Sequence, residues 1–267
     1  MDFLLVYFVY LLAGVIAGAV TGIAGASAVV ITAPILIIFL NMNPYIAIGL
    51  SLATDVIAAM VASRIYYKNK NIDVLPTIPL ILSSFIGIIV GSYLSKFIPS
   101  LHLSILTGVS TFILGVLILF RKKEFKKIKH RYLDYFTKYG KRKIILLSVL
   151  GFLVGLSAGV FGAGGGVSLL IILIFVLGYS LHMAVGTSVF IMIFLAFFGA
   201  VSHFYYKPFS WVALLISCVG AFIGSLLASR FANLTSEKNM KRIIAVIFLA
   251  LGLILILKDI LTYFGLI

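Results

Sequence analysis

The chain has 267 residues, of which 63% are hydrophobic and only 10% are charged, and its mean hydropathy is +1.25. This composition excludes an ordinary water-soluble domain, because several apolar runs reach the roughly 20 residues that cross a bilayer. The net charge of +14 does not indicate nucleic-acid binding, because residues 121–143 hold eleven of the 21 basic residues. A basic loop between spans first indicates orientation in a membrane. We therefore predict an all-α polytopic protein of the plasma membrane.

The first apolar block, residues 3–40, is too long for one ordinary span, and glycines interrupt it. The predicted elements of the first half are a helix over 3–21, a break over 22–27, a shorter helix over 28–40, and three spans over 45–66, 75–95 and 101–120. At 1.5 Å per residue the shorter helix measures about 20 Å, so it does not cross the bilayer by itself. The first half is thus predicted to contain a broken helical hairpin followed by three transmembrane helices.

The second half repeats the first with an offset of 137 residues. Glycines of the first half fall on glycines of the second: Gly14, Gly18, Gly22 and Gly25 on Gly151, Gly155, Gly159 and Gly162, and Gly49 on Gly186. We divide the chain into a first transmembrane repeat (1–120), a basic cytoplasmic linker (121–143) and a second transmembrane repeat (144–267). Anionic lipid headgroups are the expected partners of the linker.

The orientation of the repeats depends on the hairpins. If each hairpin leaves by the face that it entered, three spans follow and the repeats are inverted, with 18 of the 21 basic residues inside. If each hairpin crosses once, the repeats are parallel and the inner count falls to 16. The positive-inside rule favours two inverted repeats, with both termini outside.

The densest glycine cluster, residues 162–166, lies in a stretch without Asp, Glu, Lys or Arg from 144 to 206. A glycine in a helix interior costs about 1 kcal/mol relative to alanine. Gly151, Gly155 and Gly159 are spaced by four and predict close helix packing, whereas the consecutive glycines of 162–166 predict a break. Broken helices in inverted repeats are a plan of transporters, in which half-helix N-termini point at the substrate near the midplane. Such N-termini favour an anion.

The residues predicted to bind the substrate lie at the two breaks and on the helices that follow them. They are Gly25, Ala26, Ser27, Gly162, Gly164, Gly165, Gly166, Ser168, Ser51, Thr187 and Ser188. The hydroxyls among them offer donors to anion oxygens, although Ser and Thr also bond the backbone of their own helix. Asp55, an acid inside a predicted span, has two interpretations. It either couples transport to protons or anchors structure by bonding Ser51, Thr54 or the broken-helix backbone.

The sequence contains no motif of a hydrolase, a nucleotide site or a metal site. We predict a secondary transporter that moves a small anion by alternating access, with no enzyme activity, no metal and no cofactor. The alternatives are an anion channel and, from a different class, a membrane scaffold or assembly factor whose glycines only pack helices. An intramembrane enzyme is a weaker third. A homo-oligomer is compatible with the sequence.

Residues 155–166 (GLSAGVFGAGGG) resemble the signature of the TauE/SafE family, the sulfite-exporter-like membrane permeases. Residues 184–188 (AVGTS) resemble the Gly-Thr-Ser stretch of that family, and 70–73 (KNID) are similar to its short polar loop. The resemblance covers nearly the whole chain. It implies transport of small sulfur oxyanions or organosulfonates, such as sulfite, thiosulfate or sulfoacetate, or of related carboxylates, with coupling to the proton gradient. The first break, at residues 25–28, departs from the glycine-rich pattern.

Overall fold

The computed structural model describes residues 3–94, 109, 112–113, 115–120, 140–161, 164–206 and 208–263. These residues are almost entirely helical and contain no strand. Six helices in this part of the chain are long and apolar enough to cross a membrane, which confirms the prediction of an all-α polytopic protein. Most of the predicted span 101–120, the linker before residue 140 and Gly162 lie outside the described residues.

The helices of the first half are α1 (Phe3–Ala24), α2 (Val29–Leu40), α3 (Pro44–Lys68) and α4 (Ile78–Leu94), and a 3₁₀ turn (Leu75–Thr77) precedes α4. Those of the second half are α5 (Gly140–Phe161), α6 (Gly164–Ile171), α7 (Leu181–Tyr206), α8 (Trp211–Leu234) and α9 (Glu237–Tyr263). A π-helical turn (Ile172–Val176) continues α6. The offset of 137 carries α1 onto α5 at both ends.

The breaks are shorter than the sequence predicts. Helix α1 continues to Ala24, so only residues 25–28 separate it from α2. In the second repeat Gly164–Gly166 form the first turn of α6, so the prediction of a break through residue 166 is wrong for these three glycines. The first N–H groups of a helix have no partner within it, so glycines there disrupt fewer hydrogen bonds than glycines in a helix interior.

Equivalent residues end the short helices of the two repeats in the same way. Asn41 follows α2 with a φ of 49°, and Gly178 follows the π-helical turn with a φ of 74°. Both lie in the left-handed region, which Gly and Asn tolerate best. The next helices begin with equivalent caps, because the side chains of Asn43 and Ser180 each accept a backbone N–H from the first turn. The duplication therefore extends to the backbone.

The two repeats pack by exchanging partners: α1 lies along α8, and α5 lies along α4. The contacts are backbone to backbone, since a Cβ on Gly18 would collide with the carbonyl of Ala221 and one on Gly155 with that of Ser84. Gly151 and Gly159 meet α4 in the same way. This confirms the interpretation of the spaced glycines as a close-packing seam.

Helices α3 and α7, which are equivalent in the two repeats, pack against each other and run antiparallel. Tyr45 at the start of α3 stacks on His203 near the end of α7, with ring centroids 4.4 Å apart. At the other end of the pair, Gly186 of α7 lies against Tyr66 of α3. Among the described residues these two helices carry eight of the 19 buried polar side chains, including Asp55 and Ser188, which contact the first break.

We predict that Gly155→Ala lowers the stability of the protein by about 1–3 kcal/mol, because the added methyl group overpacks the seam between α5 and α4. The measurement is the midpoint of thermal unfolding in detergent. Val149→Ala on the exposed face of α5 is the matched control and should leave the midpoint near that of the wild type. Equal midpoints for the two variants would contradict the seam.

Candidate functional site

The two breaks meet in the core of the molecule. Gly166 in the first turn of α6 lies directly against the backbone of Ala26 and Ser27, and a Cβ on Gly166 would come within 2.5 Å of the Ser27 nitrogen. Gly25, with a φ of 63°, makes the left-handed turn that leads from α1 toward α2. The beginnings of the two short helices therefore adjoin each other, as the sequence predicts for a central site.

A carboxylate of the protein already occupies the N-terminus of α2. Asp55 on α3 is fully buried, and its Oδ2 accepts a hydrogen bond of 2.5 Å from the Ser27 hydroxyl. Its Oδ1 accepts from the Thr21 hydroxyl at 3.0 Å and from the Ala28 N–H at 3.4 Å. A helix N-terminus stabilises negative charge, so Asp55 anchors the broken-helix backbone. Asp55 does not bond Ser51 or Thr54, the two side chains that the sequence offered as its partners. The Thr54 hydroxyl instead bonds the Leu50 carbonyl of its own helix.

The second break differs at the equivalent position, where Met192 replaces Asp55. The structure describes three acidic side chains, those of Asp55, Asp73 and Glu237, and each of them bonds elsewhere. The first turn of α6 therefore has no acidic partner among the described side chains. Of the two helix N-termini that meet in the core, that of α2 holds an internal carboxylate, and that of α6 has none from the described side chains.

Two equivalent serines on α7 and α3 flank the breaks. Ser188 donates a hydrogen bond of 2.7 Å to the carbonyl oxygen of Gly25, and Val185 packs against the same glycine. Ser51, its equivalent on α3, is buried, yet its hydroxyl finds no hydrogen-bond partner in the described part of the chain. Buried polar groups are nearly always paired, so an unpaired hydroxyl at this position sets Ser51 apart from Ser188.

The remaining predicted residues divide between the break and a neighbouring loop. Gly164 begins α6, Gly165 lies against Ala158 and Leu195, and Ser168 is half-buried one turn further along. The hydroxyl of Thr187 accepts the backbone N–H of Asp73 at 3.0 Å, so Thr187 contacts the loop after α3.

Two residues that contact the first break or the turn before it escaped the sequence analysis. Thr21 bonds Asp55, and Tyr66 donates a hydrogen bond of 3.1 Å to the carbonyl oxygen of Gly22, one turn before the first break. A signal for Thr21 existed, since it is a hydroxyl residue directly before the predicted break. For Tyr66 there was none, because its position at the end of α3 resembles that of an aromatic residue at the membrane interface.

Glu237 fastens the start of α7 to the corner between α8 and α9. Its carboxylate accepts from the Leu181 N–H at 3.2 Å and lies 2.7 Å from Nδ1 of His182. Glu237 lies beyond the membrane span that ends at Leu234. Burial disfavours its charged form, but the hydrogen bonds and charge of His182 outweigh burial and hold the pKa of the carboxyl below its usual range. This end of α7 is therefore held in place.

Comparison with known proteins settles the family. The model of the family "Sulfite exporter TauE/SafE" matches residues 10–255. The chain belongs to the TauE/SafE family. It is similar to two proteins of Bacillus subtilis (strain 168). The "Probable membrane transporter protein YunE" is 25% identical, and the alignment covers 92% of this chain and 96% of the relative. The "Probable membrane transporter protein YdhB" is 28% identical, and the alignment covers 95% of this chain and 100% of the relative. No solved structure matches.

Membership of the TauE/SafE family, these relatives and the six apolar helices make this chain a membrane transporter, multi-pass in the plasma membrane. The family name and the names of both relatives are those of transporters, not of enzymes.

We predict that Ser188→Ala destabilises this TauE/SafE protein by about 1–3 kcal/mol, because the buried carbonyl of Gly25 loses its donor. Ser157→Ala is the matched control, since the hydroxyl of Ser157 only adds a bond to the Val154 carbonyl of its own helix. Thermal unfolding in detergent measures both variants. If both lower the midpoint equally, the bond between Ser188 and Gly25 has no special role.

Proposed function

We propose that this TauE/SafE transporter carries a small anion through the site between the two breaks by alternating access. One observation carries the proposal: the N-termini of two short helices adjoin in the buried core, and one of them binds the carboxylate of Asp55. The N-terminus of the second short helix, α6, has no acidic partner among the described side chains. An external oxyanion of similar size would satisfy its N–H groups.

The substrate class we propose is that of sulfite, thiosulfate or an organosulfonate. These anions present several acceptor oxygens to backbone N–H groups, and glycines let such oxygens approach the backbone closely. The unpaired hydroxyl of Ser51 supplies a further donor. Ser168, beside the glycines on α6, is a second candidate.

Proton coupling follows from the charges at the site. Two helix N-termini together supply about one positive charge, and the single carboxylate of Asp55 balances it. No charged side chain among the described residues adjoins Asp55 to compensate a second anion. Because an uncompensated charge is costly inside a protein, the substrate anion binds favourably when a proton neutralises Asp55. The transporter would then move one proton with each anion.

Inverted repeats are the topology that we propose for the membrane. The antiparallel pairing of α3 with α7 supports it, because equivalent helices of parallel repeats would run in the same direction. A second pair of equivalent segments, the one around residue 115 and α9, supports the same topology. Gly115 lies against Leu249, and Gly252 lies against Phe112. These contacts place the segment around residue 115 antiparallel to α9.

We predict that a reporter fused to the C-terminus lies outside the cytoplasm, since inverted repeats with an inner linker place both termini outside. The measurement pairs a periplasm-active with a cytoplasm-active reporter, each fused after residue 267 and, as a control, after Lys141 in the linker. Cytoplasmic activity of the C-terminal fusion would overturn the inverted topology.

The transport test is uptake of radiolabelled sulfite, thiosulfate and sulfoacetate by proteoliposomes, with and without a pH gradient. We expect saturable uptake of at least one anion by the wild type and its loss in Gly165→Leu, because a Cβ at residue 165 would already lie 2.9 Å from the Ala158 Cβ and a leucine would displace the start of α6. Val149→Leu, on the exposed face of α5, is the folding-matched control. Uptake by Gly165→Leu at the wild-type rate would indicate that the glycines of residues 164–166 only pack helices. Non-saturable uptake would indicate a channel, and no uptake of any anion would overturn the substrate class.

We predict that Asp55→Asn abolishes the response of uptake to a pH gradient while anion exchange continues, because asparagine keeps hydrogen-bonding atoms but carries no exchangeable charge. Thr54→Val is the matched control, since Thr54 bonds only the Leu50 carbonyl of its own helix. A response to the pH gradient that is unchanged in Asp55→Asn would dismiss Asp55 as the coupling residue.

A further inference from the structure

Residues 71–74, the loop between α3 and the 3₁₀ turn, belong to the first repeat but bond the second. Asn71 donates a hydrogen bond of 2.9 Å to the side-chain oxygen of Asn233 on α8. The backbone N–H of Asp73 donates to the Thr187 hydroxyl on α7 at 3.0 Å, and Tyr179 donates to the Asp73 carboxylate at 3.0 Å. All three bonds cross the boundary between the repeats, which is the boundary that must change in alternating access.

One turn of α7, residues 185–188, touches both this loop and the first break. Gly186 lies against the carbonyl of Asn71, and Thr187 accepts from the loop. On the break side Val185 packs against Gly25, and Ser188 bonds the Gly25 carbonyl. These four residues form one continuous helical turn, so the loop and the first break are connected through a single piece of helix.

The opposite end of the molecule is built differently at the equivalent positions. Gly49 corresponds to Gly186, and it lies against His203 and the ring of Phe209. Leu50 stands where Thr187 stands in the second repeat, so it offers no side-chain acceptor for a loop. Aromatic packing therefore covers that end, whereas hydrogen bonds between repeats cover the end at residues 71–74.

We propose that the loop 71–74 is the gate at its end of the transport site, that Thr187 and Asn233 hold it closed, and that the turn 185–188 couples its opening to the first break. A hydrogen-bonded gate suits an end that faces water, because its polar groups exchange protein partners for water when it opens. The inference rests on the proposed transport function, but its contacts can be tested without a substrate.

The first experiment joins the loop to α8. Asn71→Cys and Asn233→Cys are combined in a Cys218→Ser background, which removes the only native cysteine, and are bridged by a short bifunctional thiosulfonate. We expect bridging to abolish thiosulfate uptake and reduction to restore it. The matched control, Ile65→Cys with Asn69→Cys, bridges two residues of one helix end and should leave uptake unchanged. Uptake by the bridged Asn71–Asn233 pair at the unbridged rate would overturn the gate.

The second experiment needs no transport. A reporter cysteine, Ser27→Cys in the same Cys218→Ser background, is labelled with a membrane-impermeant thiol reagent. Adding Thr187→Val, which removes the acceptor of the Asp73 N–H, should speed labelling about fivefold, the shift that corresponds to one net hydrogen bond. Thr54→Val is the control and should not change the rate. Equal labelling with and without Thr187→Val would overturn the latch.

The two readouts separate the proposals. Faster labelling of Ser27→Cys in Thr187→Val without uptake of any anion would support the gate and refute the proposed substrates. Anion uptake that persists in the bridged protein would support transport and refute the gate.

Discussion

The fold depends on how broken backbone is satisfied inside a membrane. Between α1 and α2 the chain leaves helical geometry at residues 25–28, which are all buried, so each freed backbone group needs a partner. Asp55 accepts from the N-terminus of α2 and from two hydroxyls, while Ser188 donates to the carbonyl of Gly25. These partners come from α3 and α7, one from each repeat. The first break is therefore stabilised by side chains of both repeats.

Close packing of helices from the two repeats brings these partners to the break. Glycines on α1 and α5 bring the backbones of α8 and α4 into direct contact, and lipid offers no hydrophobic force that would join the helices otherwise. Since each repeat supplies one partner of both seams, neither repeat buries its glycine face alone. The exchange leaves α3 and α7 in the middle, where Asp55 and Ser188 face the first break. Glycine thus serves packing along the seams, while Gly25 shapes the first break through a left-handed turn and Gly166 lets the two breaks approach closely.

The sequence predicted the class, the duplication, the short helices and the two breaks, because hydropathy, glycine spacing and the offset of 137 are local signals. It overestimated the second break, since three glycines in a row also fit the first turn of a helix, where N–H groups lack intrahelical partners. It also offered two interpretations of Asp55, and the anchor contacts are now visible, with Ser27 and Thr21 in place of Ser51 and Thr54. The contacts of Asn71 with Asn233 and of Thr187 with Asp73 span more than 100 residues. No periodicity within one helix encodes such pairs.

The duplication gives the two repeats the same helices, but side chains at equivalent positions differ. These differences make the two ends of the molecule chemically unequal. A carboxylate stands at residue 55 and a methionine at 192, so the two helix N-termini have unequal charge. The hydroxyl of Ser188 is bonded while that of Ser51 has no partner among the described residues, so the two equivalent serines differ in their hydrogen bonding. Polar contacts cover one end of the central helix pair and aromatic contacts the other. If the same contacts closed both ends of the α3–α7 pair, the same conditions would open both ends. Hydrogen bonds hold one end and aromatic packing holds the other, so opening the two ends breaks different interactions. For the proposed alternating access that inequality matters, because a site open at both ends at once would let the anion leak across the membrane.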